Sequence, residues 1–320
     1  MSIGSPPARQ PFIVRFVDMT TLSPQNIPIT RRDWIALTWL GGALSLMTAS
    51  LARAAKPTTP PPTKPPLQPA DIARLPAGME RLDFYLLIGQ SNMKGRGFMP
   101  DEPKRDPRIV MMHLKDDAWY LARHPLHLTG DPKTFAQADN AGVGSGLAFA
   151  EAVLARRPKA RVGLLPCAVG GTQIASWQRG ADLYDNAVRR AKVALKASAP
   201  AKPRLRAALW LQGEADATNE RRPVYEEKLH KLVGDLRADL GEPQLPFLAC
   251  TIGEMVPENQ ERRNPDINKI LLSLPQKIPG TACVDARDLK THIGDNVHFD
   301  TPAQEEIGRR FAAKFLAMNG

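Results

Sequence analysis

The segment Leu86-Leu87-Ile88-Gly89-Gln90-Ser91 runs from apolar residues through a glycine to a hydroxyl two positions later. That order places Ser91 where a buried strand opens into a turn, at the rim where open α/β sheets hold their ligands. A serine there is a nucleophile if a base can take its proton, and otherwise a turn residue that caps the next helix. Among six histidines, His298 lies just before the last helical pattern, three residues after Asp295 in Asp295-Asn296-Val297-His298. In a tight turn, that spacing lets the carboxylate hold one imidazole nitrogen and fix its tautomer, while the other nitrogen points away. Acyl transfer also needs donors for an oxyanion. The candidates are the Ser91 N–H, the glycine-rich helix entrance 140–146 with Gly144, and the side-chain amide of Gln212, which follows the apolar run ending at Leu211.

Two other chemistries compete for the same residues. Glu214 and Asp216, just beyond Gln212, offer the paired carboxylates of a glycosidase. His113, His124 and His127 with Asp116 and Asp117 suggest a metal, but their spacing fits no established ligand pattern, so no metal site is expected.

The elements that must position these groups follow from hydrophobic periodicity. Apolar runs at 84–88, 109–112, 161–166, 206–211, 247–252 and 282–284 read as strands, several of them apolar almost throughout. That is the pattern of a parallel sheet covered on both faces. Helical patterns lie between them at 146–156, 182–197 and 225–240. A final helix runs from 302 to about 318, with Asp300 or Thr301 as its cap and Pro302 near its first position. The alternation predicts an α/β fold, a three-layer α/β/α sandwich with a mostly parallel sheet. The stretch 98–141, rich in Pro, Asp, Gly and His, reads as a long loop region beside the site.

The ends of the chain carry a different message. Arg31-Arg32 precedes an apolar stretch from Ile35 to about Met47, and Ala52-Arg53-Ala54 follows. A charged region, a short apolar region and an A-x-A site make an export signal, here of the twin-arginine type, over residues 1–54 with cleavage near Ala54. The apolar stretch is shorter than the roughly 20 residues of a spanning helix, so no stable membrane span is expected in the mature chain. Residues 55–70 form a proline-rich linker, and 71–320 one catalytic domain. The export machinery is then a transient partner, and the location periplasmic or secreted. The chain carries a net charge of +10, which falls to +7 without residues 1–54. With no basic stripe interleaved with aromatics, this scattered charge argues against nucleic acid. Cys167, Cys250 and Cys283 lie in apolar runs and read as buried thiols, with a Cys250–Cys283 bridge as the alternative in an oxidising compartment.

Four segments in order resemble the SGNH hydrolase superfamily, in its branch of sialate O-acetylesterases and the acetylxylan esterases of carbohydrate esterase family six. They are Gly89-Gln90-Ser91-Asn92-Met93, the run 170–177 opening Gly170-Gly171-Thr172, Trp210-Leu211-Gln212-Gly213-Glu214-Ala215-Asp216, and Asp295-Asn296-Val297-His298-Phe299. The resemblance covers about residues 82–316. It implies a flavodoxin-like sandwich and an esterase that needs no cofactor and removes O-acetyl groups from carbohydrate. By position it makes Ser91 the nucleophile, His298 the base and Asp295 its orienting acid. Gly144 and Gln212 join the Ser91 N–H as the oxyanion hole. Gln90, Asn92, Gly171, Thr172 and Glu214 become supporting or substrate-binding residues. The sequence departs from the family pattern at Leu211, where histidine is common, and at Ser145, where proline is common. Both bear on specificity rather than on the triad. A glycosidase using Glu214 and Asp216, and a carbohydrate-binding protein with a vestigial site, stand as the alternatives.

Overall fold

The computed structural model describes residues 66–72, 78–79, 81–101, 106–133, 140–196, 203–255 and 264–318. Residues 1–54, read above as an export signal, and most of the expected linker lie outside the described residues. In chain order the elements are β1 (Arg81–Gly89), α1 (Ser91–Lys94), β2 (Ile109–Met112), β3 (Trp119–Leu121), α2 (Ser145–Arg156), β4 (Ala160–Pro166) and α3 (Asp182–Lys196). They continue with β5 (Arg204–Leu211), α4 (Tyr225–Leu240), β6 (Phe247–Cys250), α5 (Asn264–Lys277), β7 (Thr281–Val284) and α6 (Thr301–Met318). The strands form one sheet in the order β3-β2-β4-β1-β5-β6-β7. Every pairing is parallel except β2 with β3.

The apolar runs fill both faces of this sheet. Alternate residues of β1 divide between two cores, with Phe84, Leu86 and Ile88 on one side and Tyr85 and Leu87 on the other. The first side is covered by α3, α4 and α5 through Tyr184, Leu229, Leu232, Ile267 and Leu271. The second is covered by α2 and α6 through Phe149, Val153, Ile307, Phe311 and Phe315. The expected three-layer α/β/α sandwich is the observed architecture.

Two elements escape the sequence reading. β3 has only three residues inside the Asp- and Pro-rich stretch and takes its order from its neighbours. Val110 and Met112 of β2 pair with Leu121 and Trp119. On the outer edge, Ala70 N–H donates to Trp119 O at 3.0 Å and Leu121 N–H to Gln68 O at 2.8 Å. The last residues of the expected linker, 67–70, therefore lie along β3, with Leu67 buried. α5 carries its signal in Ile267, Leu271 and Leu274, all buried at helical spacing, but Pro265 and Pro275 obscure it. Asp300 is the cap of α6: its Oδ1 accepts the Ala303 N–H at 3.1 Å. The three cysteines are free thiols buried in the core, and the Cys250–Cys283 bridge is not formed. Among the described residues, no helix is long and apolar enough to cross a membrane.

The order of strands places a crevice. From β1 the chain goes to one side, to β2, β3 and β4, and then to the other side, to β5, β6 and β7. The loops leaving β4 and β5 thus diverge on either side of the carboxyl end of β1, a switch point of the kind that holds ligands in open α/β sheets.

Burial also sets an expected pH response. It pushes the imidazoles of His124 and His127 down to about 4 and about 3, with the Lys94 and Arg190 charges adding to the effect at His127. The unfolded chain then binds protons from about pH 6.5 downward while the folded chain does not. Stability is full above that pH and falls as pH drops toward the folded values. The thermal midpoint should decline from about pH 6.5 to 4.5, above the range where exposed carboxylates titrate. Burial raises the carboxyls of Asp83 and Asp216, which pull the other way, so the check is differential: a pH response unchanged when both rings are replaced by glutamine would contradict their buried, neutral placement.

Candidate active site

Ser91 is positioned by a turn that only glycine permits at its entrance. Gly89 ends β1 at φ +134°, and a Cβ there would lie 2.2 Å from Leu211 O. The same carbonyl accepts the Gln90 N–H at 3.0 Å, so β1 is pinned to the end of β5 one residue before the serine. α1 then runs from Ser91 to Lys94 and is followed by Gly95, also at positive φ, where a Cβ would meet Gly144 N at 2.6 Å. This close approach, with Gly142 N–H donating to Gly95 O at 2.9 Å, brings the entrance of α2 against α1.

The predicted base and acid reach the serine. Ser91 Oγ lies 2.9 Å from His298 Nε2, and His298 Nδ1 lies 2.5 Å from Asp295 Oδ2. With Nδ1–H donated to the carboxylate, Nε2 is left to accept the Ser91 O–H. Asp295 Oδ1 accepts the backbone N–H groups of Val297 and His298 at 3.0 and 2.9 Å. Burial pushes the Asp295 carboxyl up, but the hydrogen bonds from the His298 backbone, the His298 ring and the Val297 backbone outweigh it and hold it at about 2. The turn carrying both residues is capped by His292, whose Nδ1 accepts the Gly294 and Asn296 N–H groups at 3.0 and 3.2 Å.

Asn92 and Glu214 hold this turn against α1. The fully buried Asn92 donates from Nδ2 to Glu214 Oε1 at 2.5 Å and to Val297 O at 3.1 Å, and its Oδ1 accepts the Phe299 N–H at 3.1 Å. The amide thus grips the backbone on both sides of His298, and Glu214 acts on the histidine through it. Asn92→Ala would leave a buried carboxylate and a buried N–H without these bonds, at a cost of about 2–3 kcal/mol. A fall in kcat with KM nearly unchanged, alongside a lower thermal midpoint, is the expected outcome. Wild-type kcat in this variant would refute the clamp.

The two proposed backbone donors stand at helix starts. Among the described residues, neither the Ser91 N–H nor the Gly144 N–H has an acceptor. Gln212 is placed otherwise than its expected role requires. Its Nε2 donates to Asp216 Oδ2 at 2.5 Å and to Thr172 O at 3.0 Å, which uses both amide hydrogens. Asp216 is 2% exposed, so burial raises its carboxyl and makes these donors valuable to it. Gln212 therefore supports Asp216 and the loop after β4 instead of donating to an oxyanion. Asp216 also accepts the Ile174 N–H at 2.8 Å and stands away from the cleft lining, which separates it from Glu214 as a glycosidase pair.

The cleft over Ser91 has a volume of about 420 Å³. Gln90, Ser91, Gly171, Glu214 and His298 line it, together with Arg96, Gly170, Ala215 and Val297. Gln90 also braces the floor, its Oε1 accepting the Ala215 N–H at 3.2 Å. Thr172 serves the loop behind, donating to Val169 O at 2.8 Å and accepting from Trp177 Nε1 at 3.2 Å. Arg96, two residues beyond α1, was overlooked in the sequence, although it follows the serine motif directly. Among the described residues, no group of three His, Cys, Asp or Glu side chains is arranged to hold a metal ion.

A family model described as carbohydrate esterase, sialic acid-specific acetylesterase, matches residues 81–317. A protein of Arabidopsis thaliana described as a probable carbohydrate esterase is 32% identical over 254 residues, covering 73% of this chain and 90% of its own length. Its crystal structure superposes with a TM-score of 0.64 at 31% identity, over 74% of this chain and 98% of the other. The crystal structure of NanS shares the fold, with a TM-score of 0.58 at 19% identity over 75% and 98% of the two chains. On the family match and the Arabidopsis identity, the chain belongs to the carbohydrate esterases of the sialic acid-specific acetylesterase family, hydrolases of sugar O-acetyl esters.

Proposed function

We propose that the chain is an exported serine esterase that removes O-acetyl groups from carbohydrate through an acetyl-enzyme on Ser91. The observation that carries this reading is the continuous relay from Ser91 Oγ through His298 to Asp295 at 2.9 and 2.5 Å. Ser91 Oγ attacks the acetyl carbonyl as His298 Nε2 takes its proton. The tetrahedral oxyanion is held by the Ser91 and Gly144 N–H groups at the starts of α1 and α2. On collapse, the imidazolium returns the proton to the departing sugar oxygen, leaving acetate esterified to Ser91. Water, deprotonated by the same imidazole, then releases acetate and regenerates the serine. Asp295 remains ionised throughout the working range because its carboxyl is held at about 2, and its charge supports the imidazolium.

The acetylated polymer or glycan is met outside the cytoplasm in this reading, which rests on the Arg31-Arg32 signal and the Ala52-Arg53-Ala54 site. The test is a product assay on O-acetylated oligosaccharides, sialosides among them. Acetate should appear while the glycosidic bonds stay intact. Free sugar without acetate would favour a glycosidase, and binding without either product would favour a vestigial site.

A further inference from the structure

Asp295 and His298 sit at the tip of a short hairpin. Its arms are joined by the isolated antiparallel bridge of His292 with Phe299 and by Ile293 N–H donating to His298 O at 3.0 Å. At its base, Thr291 Oγ1 donates to Asp300 Oδ1 at 2.8 Å. The backbone on either side of Asp295 is left-handed, with Gly294 at φ +108° and Asn296 at φ +58°. That conformation is unfavourable for any residue with a Cβ, although Asn visits it more readily than most. Among the described non-glycine residues, Asn296 shares it only with Asp117.

A single atom serves both left-handed residues. His292 Nδ1 accepts the Gly294 N–H at 3.0 Å and the Asn296 N–H at 3.2 Å, the two amides that flank Asp295. A ring nitrogen that accepts must carry a lone pair, so His292 is neutral with its proton on Nε2. His298 holds the opposite tautomer, with Nδ1–H turned to Asp295 Oδ2. Protonating His292 Nδ1 would turn the acceptor into a donor facing two N–H groups, and both bonds would be lost together. Among the described residues, the polar contacts of the ring are these two amides, and no carboxylate pairs with it. The charged groups of the hairpin are engaged elsewhere. Asp295 takes the His298 ring and the Val297 and His298 N–H groups, and Asp300 takes Thr291 and the Ala303 N–H. Lys290, just before the hairpin, donates to Glu254 O.

We infer that His292 is a positioning residue whose neutral Nδ1 holds the hairpin tip in shape, so that protonating it uncouples Asp295 and His298 from Ser91. Two imidazoles then act in series. His298 must be neutral to take the Ser91 proton, and His292 must be neutral for the tip to aim His298. The inference rests on the esterase reading for the role of His298.

The pH dependence of kcat/KM for acetate release tests this, followed from about pH 8 down to about pH 5, where imidazoles change charge. Assays run well below the lowest thermal midpoint of the series, so that unfolding does not enter. In the wild-type enzyme the acid limb should steepen to a limiting slope of about two, one proton for each imidazole. His292→Ala should lower kcat about tenfold across the range with KM nearly unchanged, and its acid limb should have a slope of about one. Asn supplies an oxygen that accepts the N–H two residues on and does not titrate. His292→Asn should therefore recover most of the kcat lost in His292→Ala while keeping the slope of about one. A merely structural role would move the thermal midpoint and leave the slope at its wild-type value. A slope of one in the wild-type enzyme, a slope of two that survives His292→Asn, or undiminished kcat in His292→Ala would overturn the inference. Failure of the esterase reading shows separately, as acetate release that persists in Ser91→Ala.

Discussion

Ser91→Ala should lower kcat for acetate release by about 10⁴-fold or more while leaving the thermal midpoint unchanged. The variant deletes one hydroxyl whose described bond goes to His298 Nε2, and it leaves β1, α1 and the Asn92 clamp intact. What survives is the binding cleft and the oxyanion donors, which retain only a residual fraction of the acceleration in serine hydrolases. A loss of only a few-fold would mean that another group attacks the ester, and the relay to Asp295 would then be structural. The measurement is steady-state acetate release beside a calorimetric scan of the same protein.

Gly89→Ala should be the most damaging single change near the site, because it acts on the backbone that aims Ser91. The new Cβ would lie 2.2 Å from Leu211 O, the carbonyl that accepts the Gln90 N–H. Neither neighbour can yield cheaply, since β1 and β5 are paired along their length in the middle of the sheet. Positive φ at this position adds strain for any residue with a Cβ. A loss of about 3 kcal/mol or more is expected, together with loss of activity as the turn shifts. Gly171 provides the contrast. It also has positive φ, but a Cβ there meets nothing within 4 Å. Gly171→Ala should therefore cost only about 1–2 kcal/mol from the left-handed backbone. Denaturant unfolding of the two variants measures the difference, and equal costs would contradict the close approach of β5 to Gly89.

The sandwich was legible because its strands are apolar on both faces and its helices carry clean one-sided stripes. Tyr225–Leu240 matches its expected bounds for that reason. β3 was not legible, since three residues carry no period and their order comes from β2 and from residues 68–70. α5 was hidden by prolines that a helix tolerates near its ends. In the site, the Ser91–His298–Asp295 arrangement followed from a local spacing and a strand end, both properties of neighbours in sequence. Gln212 illustrates what such reasoning misses. Its position at the end of β5 was correct, but the demand of buried Asp216 for donors arises only in the folded chain. The same holds for Asn92, whose partners Glu214, Val297 and Phe299 lie more than a hundred residues away.

An acetyl-enzyme on Ser91 is a covalent species and can be trapped. The enzyme is mixed with an O-acetylated substrate, quenched in acid during turnover, digested and read by mass spectrometry. An acetyl group on Ser91, absent after longer incubation and never seen in the Ser91→Ala variant, is the predicted result. Steady turnover with no acetyl adduct on Ser91, in wild-type enzyme or in an Asp295→Asn variant whose weaker hold on His298 should slow deacylation, would rule out the acetyl-enzyme.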